Sequence, residues 1–348
     1  MKIIQLGYGY WGESWIDFIN KDPDSELAAL CVKTEKTLSK AKEKWDLPDS
    51  MCFTDIDEAL KVDADVVIIV MPHYAHIEFA KKAVLAGKNV LIEKPLCDNL
   101  DEAKEFFRWM EGRKEKVFVS HNYRFRKELW QMKEGFEDGK LGELQFIQVD
   151  YRTGKSTDPE EHIWNIQGWR GSQVCMQTYE CAVHHYDMMR FLTGSNAKTV
   201  YANAWNPKWA ITKGPESYFV TIEFENGVRA CFSNHMSSVG AETEFQGNWQ
   251  VQGSKGLVRW LSGHPEMELY PAIDHPGEIP AVEETGFPGF DRAGILRELV
   301  HALGGEKFSA LPTLKDNMNT MALCAAVLLS AREGRVVSVD ELWHEGRE

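Results

Sequence analysis

The sequence predicts an α/β fold built from two different sheets. In the first third of the chain, short apolar strands alternate with helical patterns, which is typical of a doubly wound parallel sheet. Longer strands follow, with the hairpin signal Asn226-Gly227 between two of them, so we predict a C-terminal α+β domain with a large open, mainly antiparallel sheet. A chain of 348 residues is also longer than one hydrophobic core usually supports, which favours two domains. We place the domains at residues 1–121 and 122–348, with the last helices able to pack back on the first domain.

Composition excludes several classes of protein. Hydrophobic residues at 43% and charged residues at 26% are ordinary globular values, and no apolar run reaches the ~18 residues of a membrane helix. The net charge of -14 disfavours nucleic acid and anionic membranes as partners. No secretion signal precedes the first strand, so we expect a cytoplasmic protein. Seven scattered cysteines without a CxxC pair indicate reduced thiols and predict neither disulfides nor a metal site.

The strand Lys2–Leu6 leads directly into a glycine motif of the form G-x-G-x-x-G, and helical spacing follows from Ser14 to Asn20. In this context the first glycine permits a tight turn, the second lets a pyrophosphate approach the backbone, and the third lets the helix pack on the strand. The helix N-terminus then faces the phosphates. We therefore predict a Rossmann dinucleotide-binding domain. The predicted loop contacts are Gly7, Tyr8, Gly9, Tyr10, Trp11 and Gly12.

The choice of dinucleotide depends on the end of the second strand, Leu27–Val32. An NAD site usually has a carboxylate about 20 residues past the glycines, where it binds the ribose hydroxyl. Here Lys33 and Thr34 occupy that place, and a cation can pair with the 2′-phosphate of NADP. We expect NADP rather than NAD. The alternative is a shift of one or two residues in the alignment, which would make Glu35 the acid and NAD the cofactor.

Further strands at Val66–Val70 and Val117–Ser120 extend the parallel sheet. The loop after the first of them carries Met71, Pro72 and His76, which we predict to contact the dinucleotide at the carboxyl edge. His76 could instead cap the helix that follows. The helical patterns of this domain are Glu35–Trp45, Ile77–Ala86 and Asp101–Glu111.

A short apolar run, Asn89–Ile92, continues into Glu93-Lys94-Pro95. Pro95 removes a backbone donor and disfavours a helical Lys94, so the strand ends there. Lys94 would then lie at the carboxyl edge of the sheet, where open α/β folds bind ligands. These residues alone leave two interpretations open: a functional lysine, or a lysine that caps the strand with Glu93 as its ion-pair partner.

The second domain begins with a helical pattern at Glu128–Asp138 and ends with two others at Arg292–Leu303 and Leu314–Arg332. Between them, Gly263–Phe290 is rich in Pro, Gly and acids and predicts a long surface excursion. The predicted strands are Leu144–Arg152, Thr199–Trp205, Tyr218–Glu225, Gly227–Asn234, Asn248–Gln252 and Gly256–Leu261.

One segment of this domain has the spacing of a catalytic pair. Glu180, His184 and Asp187 fall at i, i+4 and i+7, so on one α-helix they share a stripe and a carboxylate can orient an imidazole. Histidine ordinarily titrates near neutral pH and suits a general base. The alternative is a histidine satisfied within the core, and Asp187 could simply hold the helix N-terminus or Arg190.

Taken together, these motifs resemble the Gfo/Idh/MocA oxidoreductase family. The resemblance rests on the glycine motif, the Pro72–His76 loop, Ala86–Val90 and Glu93-Lys94-Pro95. His121–Phe125 is similar to the segment by which that family enters its second domain, and Ala331–Val337 is similar to its closing helix-to-strand turn. The resemblance implies oxidation or reduction of one secondary alcohol of a sugar, cyclitol or polyol with NAD or NADP.

The resemblance also assigns roles to residues. Lys94, His184 and Glu180 correspond to the catalytic set, although the family usually has Asp where Glu180 stands and a glycine run before it. Arg124, Arg170 and His162 are candidate donors to substrate hydroxyls, each with a structural ion pair as the alternative. The further cofactor contacts are Glu93, Lys94 and Asn122; the substrate contacts are Lys94, Tyr123, Arg124, Trp169, Arg170, Glu180, His184 and His185.

We therefore expect a hydride-transferring enzyme in which His184 takes the hydroxyl proton, Lys94 donates to the developing alkoxide and Glu180 orients them. Two other functions stay open: a glycoside hydrolase that oxidises the sugar transiently with bound NAD, and a non-catalytic dinucleotide-binding regulator. The expected partner is a small carbohydrate or polyol. Because an open sheet needs its outer face covered, we also expect a homodimer or homotetramer through the C-terminal sheet.

Overall fold

The computed structural model describes residues 1–154, 173, 175, 177–264, 267–271, 287–306 and 310–344. The chain divides into two compact units. The first unit comprises Met1–Phe125 and Pro288–Met318, and the second comprises Arg126–Phe287 and Asn319–Glu348. The first unit thus includes a segment that returns to it from near the C-terminus.

The strands and helices follow in chain order. The strands are β1 Lys2–Leu6, β2 Glu26–Cys31, β3 Cys52–Phe53, β4 Val66–Ile69, β5 Asn89–Glu93, β6 Val117–Ser120, β7 Leu144–Arg152, β8 Ala197–Trp205, β9 Ser217–Phe224, β10 Arg229–His235, β11 Asn248–Gly253, β12 Gly256–Trp260, β13 Glu268–Pro271 and β14 Val337–Ser338. The α-helices are α1 Tyr10–Lys21, α2 Glu35–Trp45, α3 Ile56–Ala59, α4 His76–Leu85, α5 Leu100–Met110, α6 Lys127–Glu137, α7 Val183–Thr193, α8 Asp291–Gly304 and α9 Leu314–Glu333.

The first unit contains a six-stranded sheet in the order β3-β2-β1-β4-β5-β6, and all its neighbouring strands run parallel. Its central strand β4 is fully buried, as expected for a sheet covered by helices on both faces. The strand order reverses between β1 and β4, and open α/β sheets bind ligands at the carboxyl ends of the strands beside such a point. This confirms the predicted doubly wound sheet.

Side-chain caps fix where the helices of this sheet begin. Thr34 accepts a hydrogen bond from the Thr37 backbone at 3.2 Å and starts α2. Asn99 accepts from the backbone N–H groups of Asp101 and Glu102 at 2.8 and 3.2 Å and starts α5. Both are short polar side chains of the kind that satisfy the free N–H groups of a first turn.

The second unit contains an eight-stranded sheet in the order β13-β12-β11-β7-β10-β9-β8-β14. β7 and β10 run parallel, and the other neighbours are antiparallel, which confirms a mainly antiparallel sheet. Buried and exposed residues alternate along its central strands. Helix α7 covers the inner face, where the Tyr186 ring meets Phe232 of β10 at 5.6 Å.

Three features differ from the predicted elements. Strand β13 lies inside Gly263–Phe290, which we predicted to be a surface excursion. The short elements β3 and α3 were missed because two to four residues carry too little periodicity to identify them. The predicted helix through Glu180 begins instead with a π-helical turn over Gln177–Ala182. Among the described residues, no helix is long and apolar enough to cross a membrane.

Candidate active site

The glycine loop is shaped by contacts that exclude side chains at two of its three glycines. Gly7 has φ +102°, and a Cβ there would collide with the Val70 carbonyl. A Cβ on Gly12 would lie 2.7 Å from the carbonyl oxygen of Gly7. The fully buried amide of Gln5 donates to the carbonyls of Gly7 and Gly12 at 2.9 and 2.8 Å and fixes the loop. A Cβ on Gly9 would meet no described atom within 4 Å, so this glycine leaves room for a close-approaching ligand.

The aromatic residues of the loop differ in their surroundings. The Tyr8 hydroxyl donates to Glu13 at 3.1 Å and accepts from the Trp45 indole at 3.1 Å. Tyr10 and Trp11 are exposed and meet edge to face, with their ring centroids 4.8 Å apart. Both exposed rings therefore lie at the surface of the first turn of α1.

The end of β2 lies beside the glycine loop. Cys31, the last residue of β2, pairs with Leu6, and its carbonyl accepts the Gly7 backbone N–H at 2.8 Å. Lys33 and Thr34 follow Val32 at once, and both are exposed. Glu35, the alternative acid, is the first residue of α2 and accepts a hydrogen bond from Thr54 at 3.4 Å.

The carboxylate of Glu93, at the end of β5, is the centre of a buried network. One oxygen accepts from the Trp15 indole at 2.7 Å and from the Arg292 guanidinium at 3.1 Å. The other accepts the backbone N–H of Lys94 at 3.1 Å. The side chains of Glu93 and Arg292 are only 9% and 5% exposed. The network therefore links α1, the Lys94 turn and the first turn of α8.

Arg292 extends this network in two further directions. Its guanidinium lies over the rings of Trp11 and Trp15, at 4.9 and 5.4 Å from their centroids. It also contacts the Asp291 carboxylate at 3.1 Å, which in turn accepts from the Asn122 amide at 3.1 Å. We call Glu93, Trp15, Asp291, Arg292 and Asn122 the Glu93 network. The sequence analysis found Glu93 and Asn122 but missed the other members, because no local pattern marks a residue 199 positions away.

His76 lies inside the first unit between two loops. Its ring nitrogens are 2.8 Å from the carbonyl oxygens of Pro95 and Met71. Burial lowers its pKa, and the two carbonyls oppose that effect. A neutral imidazole can donate to only one of these carbonyls at a time. His76 does not cap α4, whose N-cap is Ala75. It joins the loop after β4 to the Lys94 turn, and its contact with a dinucleotide stays a prediction.

Tyr123 and Arg124 lie in a buried 3₁₀ turn over Asn122–Phe125. The Arg124 guanidinium donates to the Asp316 carboxylate at 2.7 Å and to the Ala310 carbonyl at 3.1 Å. These contacts give Arg124 the structural role considered as the alternative above. Its assignment to the substrate, like that of Tyr123, stays a prediction.

Glu180 and His184 lie on either side of a change in helix type. Glu180 is buried in the π-helical turn, and His184 is half-buried in the first turn of α7. Glu180 therefore lies in a π-helical turn and not in the predicted continuous α-helix, and the orientation of His184 by Glu180 stays a prediction. π-Helical turns occur frequently at functional sites, so this turn itself marks the segment.

Asp187 has a structural partner within the second unit. Its carboxylate accepts a hydrogen bond from the Thr320 hydroxyl at 3.2 Å, and the same hydroxyl accepts from Arg190 at 2.8 Å. Arg190 also donates to Asn196 at 2.8 Å. Thr320 thus connects Asp187 and Arg190, the pair that the sequence analysis offered as an alternative role for Asp187.

His185 is a core residue. It is 1% exposed, and its ring lies 4.9 Å from the rings of both Tyr151 and Phe232. Burial lowers its pKa to about 4, against smaller opposing effects of the nearby backbone at Phe245, Cys181 and Gln246. The ring is therefore neutral near pH ~7. This environment does not support the prediction that His185 faces the substrate. Trp169, Arg170 and His162 lie outside the described residues.

Comparison with known proteins identifies the class of this chain. One family model, the oxidoreductase family with an NAD-binding Rossmann fold, matches residues 1–121. The companion model, the C-terminal alpha/beta domain of that oxidoreductase family, matches residues 133–339. The chain is therefore an oxidoreductase with an NAD-binding Rossmann fold. It belongs to the Gfo/Idh/MocA family.

Individual relatives agree with this assignment. The inositol 2-dehydrogenase of Rhizobium meliloti is 24% identical over 284 residues, which cover 80% of this chain and 81% of that protein. An oxidoreductase from Agrobacterium radiobacter, solved with NAD+, L-tartaric acid and magnesium, superposes with a TM-score of 0.81 at 19% identity and covers 99% of both chains. The WlbA dehydrogenase of Bordetella pertussis, solved with NADH and UDP-GlcNAcA, has a TM-score of 0.78 at 19% identity, covering 97% of this chain and 98% of that one. At these identities the solved structures support the fold.

Proposed function

We propose that this oxidoreductase transfers a hydride between nicotinamide and one secondary alcohol or ketone carbon of a sugar, cyclitol or polyol. The observation that carries the proposal is the position of Lys94 at the carboxyl end of β5, where the Glu93 network holds its backbone beside α1. Parallel sheets bind their ligands at that edge. The similarity to an inositol 2-dehydrogenase supports the substrate class.

The chemistry assigns one task to each of three side chains. In oxidation, the Lys94 ammonium donates a hydrogen bond to the substrate oxygen and stabilises the negative charge that develops as its proton leaves. His184 accepts that proton as general base, and Glu180 orients the imidazole. A bound nicotinamide supplies the hydride acceptor. Reduction uses the same groups in the opposite order, with His184 returning the proton.

The glycine loop fits a dinucleotide. Gly9 is the N-cap of α1 and has no side chain to cover the backbone N–H groups of the first turn. These groups and the positive end of the helix dipole suit a pyrophosphate. Met71 and Pro72, after β4, lie at the same edge of the sheet as the Lys94 turn after β5, since β4 and β5 are parallel neighbours.

We infer NADP as the preferred cofactor, because exposed Lys33 follows β2 where an NAD-specific site usually has a carboxylate. An ammonium at this position favours a 2′-phosphate, whereas it offers no acceptor for the 2′-hydroxyl of NAD. Measured KM values for the two cofactors test the inference, and a KM for NAD at least tenfold below that for NADP would contradict it.

We also propose a homodimer or homotetramer assembled through the outer face of the eight-stranded sheet. That face presents Phe146, Tyr201 and Phe219, which are 43%, 43% and 52% exposed, together with Val336. Large exposed apolar side chains gathered on one open sheet face are typical of an interaction surface. Light scattering tests this proposal, and a monomer at micromolar concentration would contradict it.

The decisive experiment for the reaction is a screen of aldoses, hexitols and inositols with NAD+ and NADP+, recorded by the absorbance of the reduced nicotinamide. Lys94→Ala should then lower kcat by about 10²–10³-fold while binding of the dinucleotide changes far less. Lys114→Ala, which removes an exposed lysine elsewhere in the first unit, is the matched control. A Lys94→Ala enzyme with wild-type kcat would refute the proposal.

Adding glycosides to the same screen, with the released sugar measured, separates the two other functions. A hydrolase that oxidises its sugar transiently keeps its dinucleotide bound and turns over glycosides without net formation of NADH. A regulator binds the dinucleotide and converts none of the compounds. Stoichiometric reduction of free cofactor occurs only in the proposed reaction.

A further inference from the structure

Four neutral polar side chains are buried together in the second unit. Asn234 of β10 and Tyr218 of β9 are directly paired on the inner face of the sheet. Gln177 and Thr178 begin the π-helical turn above them, and the Gln177 amide nitrogen donates to the Asn234 amide oxygen. All four side chains are at most 2% exposed. We call these four residues the polar cluster.

The polar cluster has more hydrogen-bonding groups than partners for them among the described residues. Oε1 of Gln177 and Nδ2 of Asn234 have no partner within the described ranges. In the same part of the chain, the hydroxyl groups of Thr178 and Tyr218 have only each other, and because one bond between them uses one of their two hydrogens, the second hydrogen has no acceptor. Buried polar groups in folded proteins are almost always hydrogen-bonded, to the protein, to water or to a ligand, so this set indicates a missing polar partner.

The orientation of the two amides does not change this conclusion. Exchanging the oxygen and nitrogen of both Gln177 and Asn234 keeps the bond between them and again leaves one amide oxygen and one amide nitrogen without partners. Burial raises the pKa of Tyr218 to about 12, and the nearby Thr178 hydroxyl offsets this only partly. The phenol therefore keeps its proton and remains a donor.

The chemistry of these atoms defines what they can bind. They offer one carbonyl acceptor, one amide donor and two hydroxyl groups that both donate and accept. None of the four side chains carries a charge, so the cluster does not suit a phosphate, a carboxylate or a metal ion. Vicinal hydroxyl groups match the set, because each needs a donor and an acceptor.

The position of the cluster connects it to the reaction. Glu180 lies in the same π-helical turn, two residues after Thr178 and three after Gln177. We propose that the polar cluster binds hydroxyl groups of the substrate and thereby selects among sugars or polyols that differ in the configuration of those hydroxyls. This inference rests on the proposed function and adds a specificity site to it. Internal water is the competing occupant.

Two variants of nearly unchanged shape test the inference. Tyr218→Phe and Thr178→Val each remove one hydroxyl group, and Tyr270→Phe makes the same change as Tyr218→Phe at an exposed position of β13. Without ligand, Tm should fall by no more than about 2–4 °C, because each cluster variant loses at most the one bond between the two hydroxyl groups. The Kd of a bound polyol should increase about tenfold in the two cluster variants and stay unchanged in Tyr270→Phe.

The probes are myo-inositol, scyllo-inositol, sorbitol and mannitol. Two quantities are measured for each: the shift in Tm that it causes in the full chain with dinucleotide present, and its KM. Polyol affinity that is equal in wild type and both cluster variants would mean that the cluster holds only water, and the inference would be wrong. It would also be wrong if none of the four polyols raised the Tm of the wild type. If the cluster variants weaken polyol binding but the wild type reduces no nicotinamide, the proposed reaction is wrong and the binding site is supported. If the wild type turns over a polyol and both cluster variants keep its KM, the binding site is wrong and the proposed reaction is supported.

Discussion

Replacing Arg292 by leucine should destabilise the first unit strongly, since the Arg292 guanidinium pairs with the buried carboxylate of Glu93. The two groups are 3.1 Å apart, and their side chains are only 5% and 9% exposed, so water cannot replace the lost partner. Removing one member of a buried ion pair typically costs about 3–5 kcal/mol. The guanidinium's position over Trp11 and Trp15 adds roughly 0.5–2 kcal/mol to the loss. We therefore expect Arg292→Leu to lower the free energy of unfolding by about 3.5–7 kcal/mol.

The assay is urea denaturation followed by tryptophan fluorescence, to which Trp11 and Trp15 contribute. A change in the midpoint at constant slope reports stability. The matched control is Lys21→Ala, which removes an exposed ion pair with Asp17 and should unfold like the wild type. Adding Glu93→Gln to Arg292→Leu should restore part of the loss, because the uncompensated charge disappears. A loss below about 1 kcal/mol in Arg292→Leu, or no recovery in the double variant, would refute the reasoning.

Three further predictions follow from the same structure. Lys33→Glu should reverse the cofactor preference, raising the KM for NADP and lowering that for NAD; unchanged KM values would show that Lys33 does not face the ribose. Gly9→Ala should fold normally but bind dinucleotide more weakly, because a Cβ on Gly9 meets no described atom within 4 Å. Gly12→Ala should lose stability, because a Cβ on Gly12 would lie 2.7 Å from the Gly7 carbonyl oxygen. Circular dichroism and cofactor titration compare the two variants, and equal stability and equal affinity in both would contradict this expectation. The folded-state pKa of His185 is about 4, below the unfolded value of about 6.5, so the unfolded state takes up the proton first and stability falls as pH drops through this window, by up to about 3 kcal/mol. His185→Leu should remove that part of the pH dependence measured by urea denaturation, and an unchanged profile would show that another group is responsible.

Local patterns predicted most of the nucleotide half of the molecule. The glycine loop, the helix that begins at Glu35 and the turn after β5 each depend on residues adjacent in sequence, and a parallel sheet follows from regular alternation of strand and helix. Periodicity also identified most strands of the second sheet, because buried and exposed side chains alternate along them.

The parts that sequence did not predict depend on contacts between distant residues. Arg292 reaches Glu93 across 199 positions, and no pattern near either residue reveals the pairing. The π-helical turn before α7 replaces the first part of an apparently ordinary α-helix, because the spacing of residues alone does not distinguish the two helix types. Burial likewise gave His185 surroundings that its residue type did not indicate. Asn234 and Tyr218 lie in strands that were predicted from the alternation of apolar residues. That pattern does not indicate which inward-facing positions are polar, so the polar cluster was not predicted.

The central claim is that Lys94 and His184 act together on one carbon of the substrate, and a double-mutant cycle on kcat measures this directly. Catalytic residues that work as a unit have strongly non-additive effects. Lys94→Ala, His184→Ala and the double variant should therefore all be slow, and the double variant should be about as slow as the slower single variant. If the two losses instead multiply in the double variant, the residues act independently, and the proposed catalytic pair is wrong.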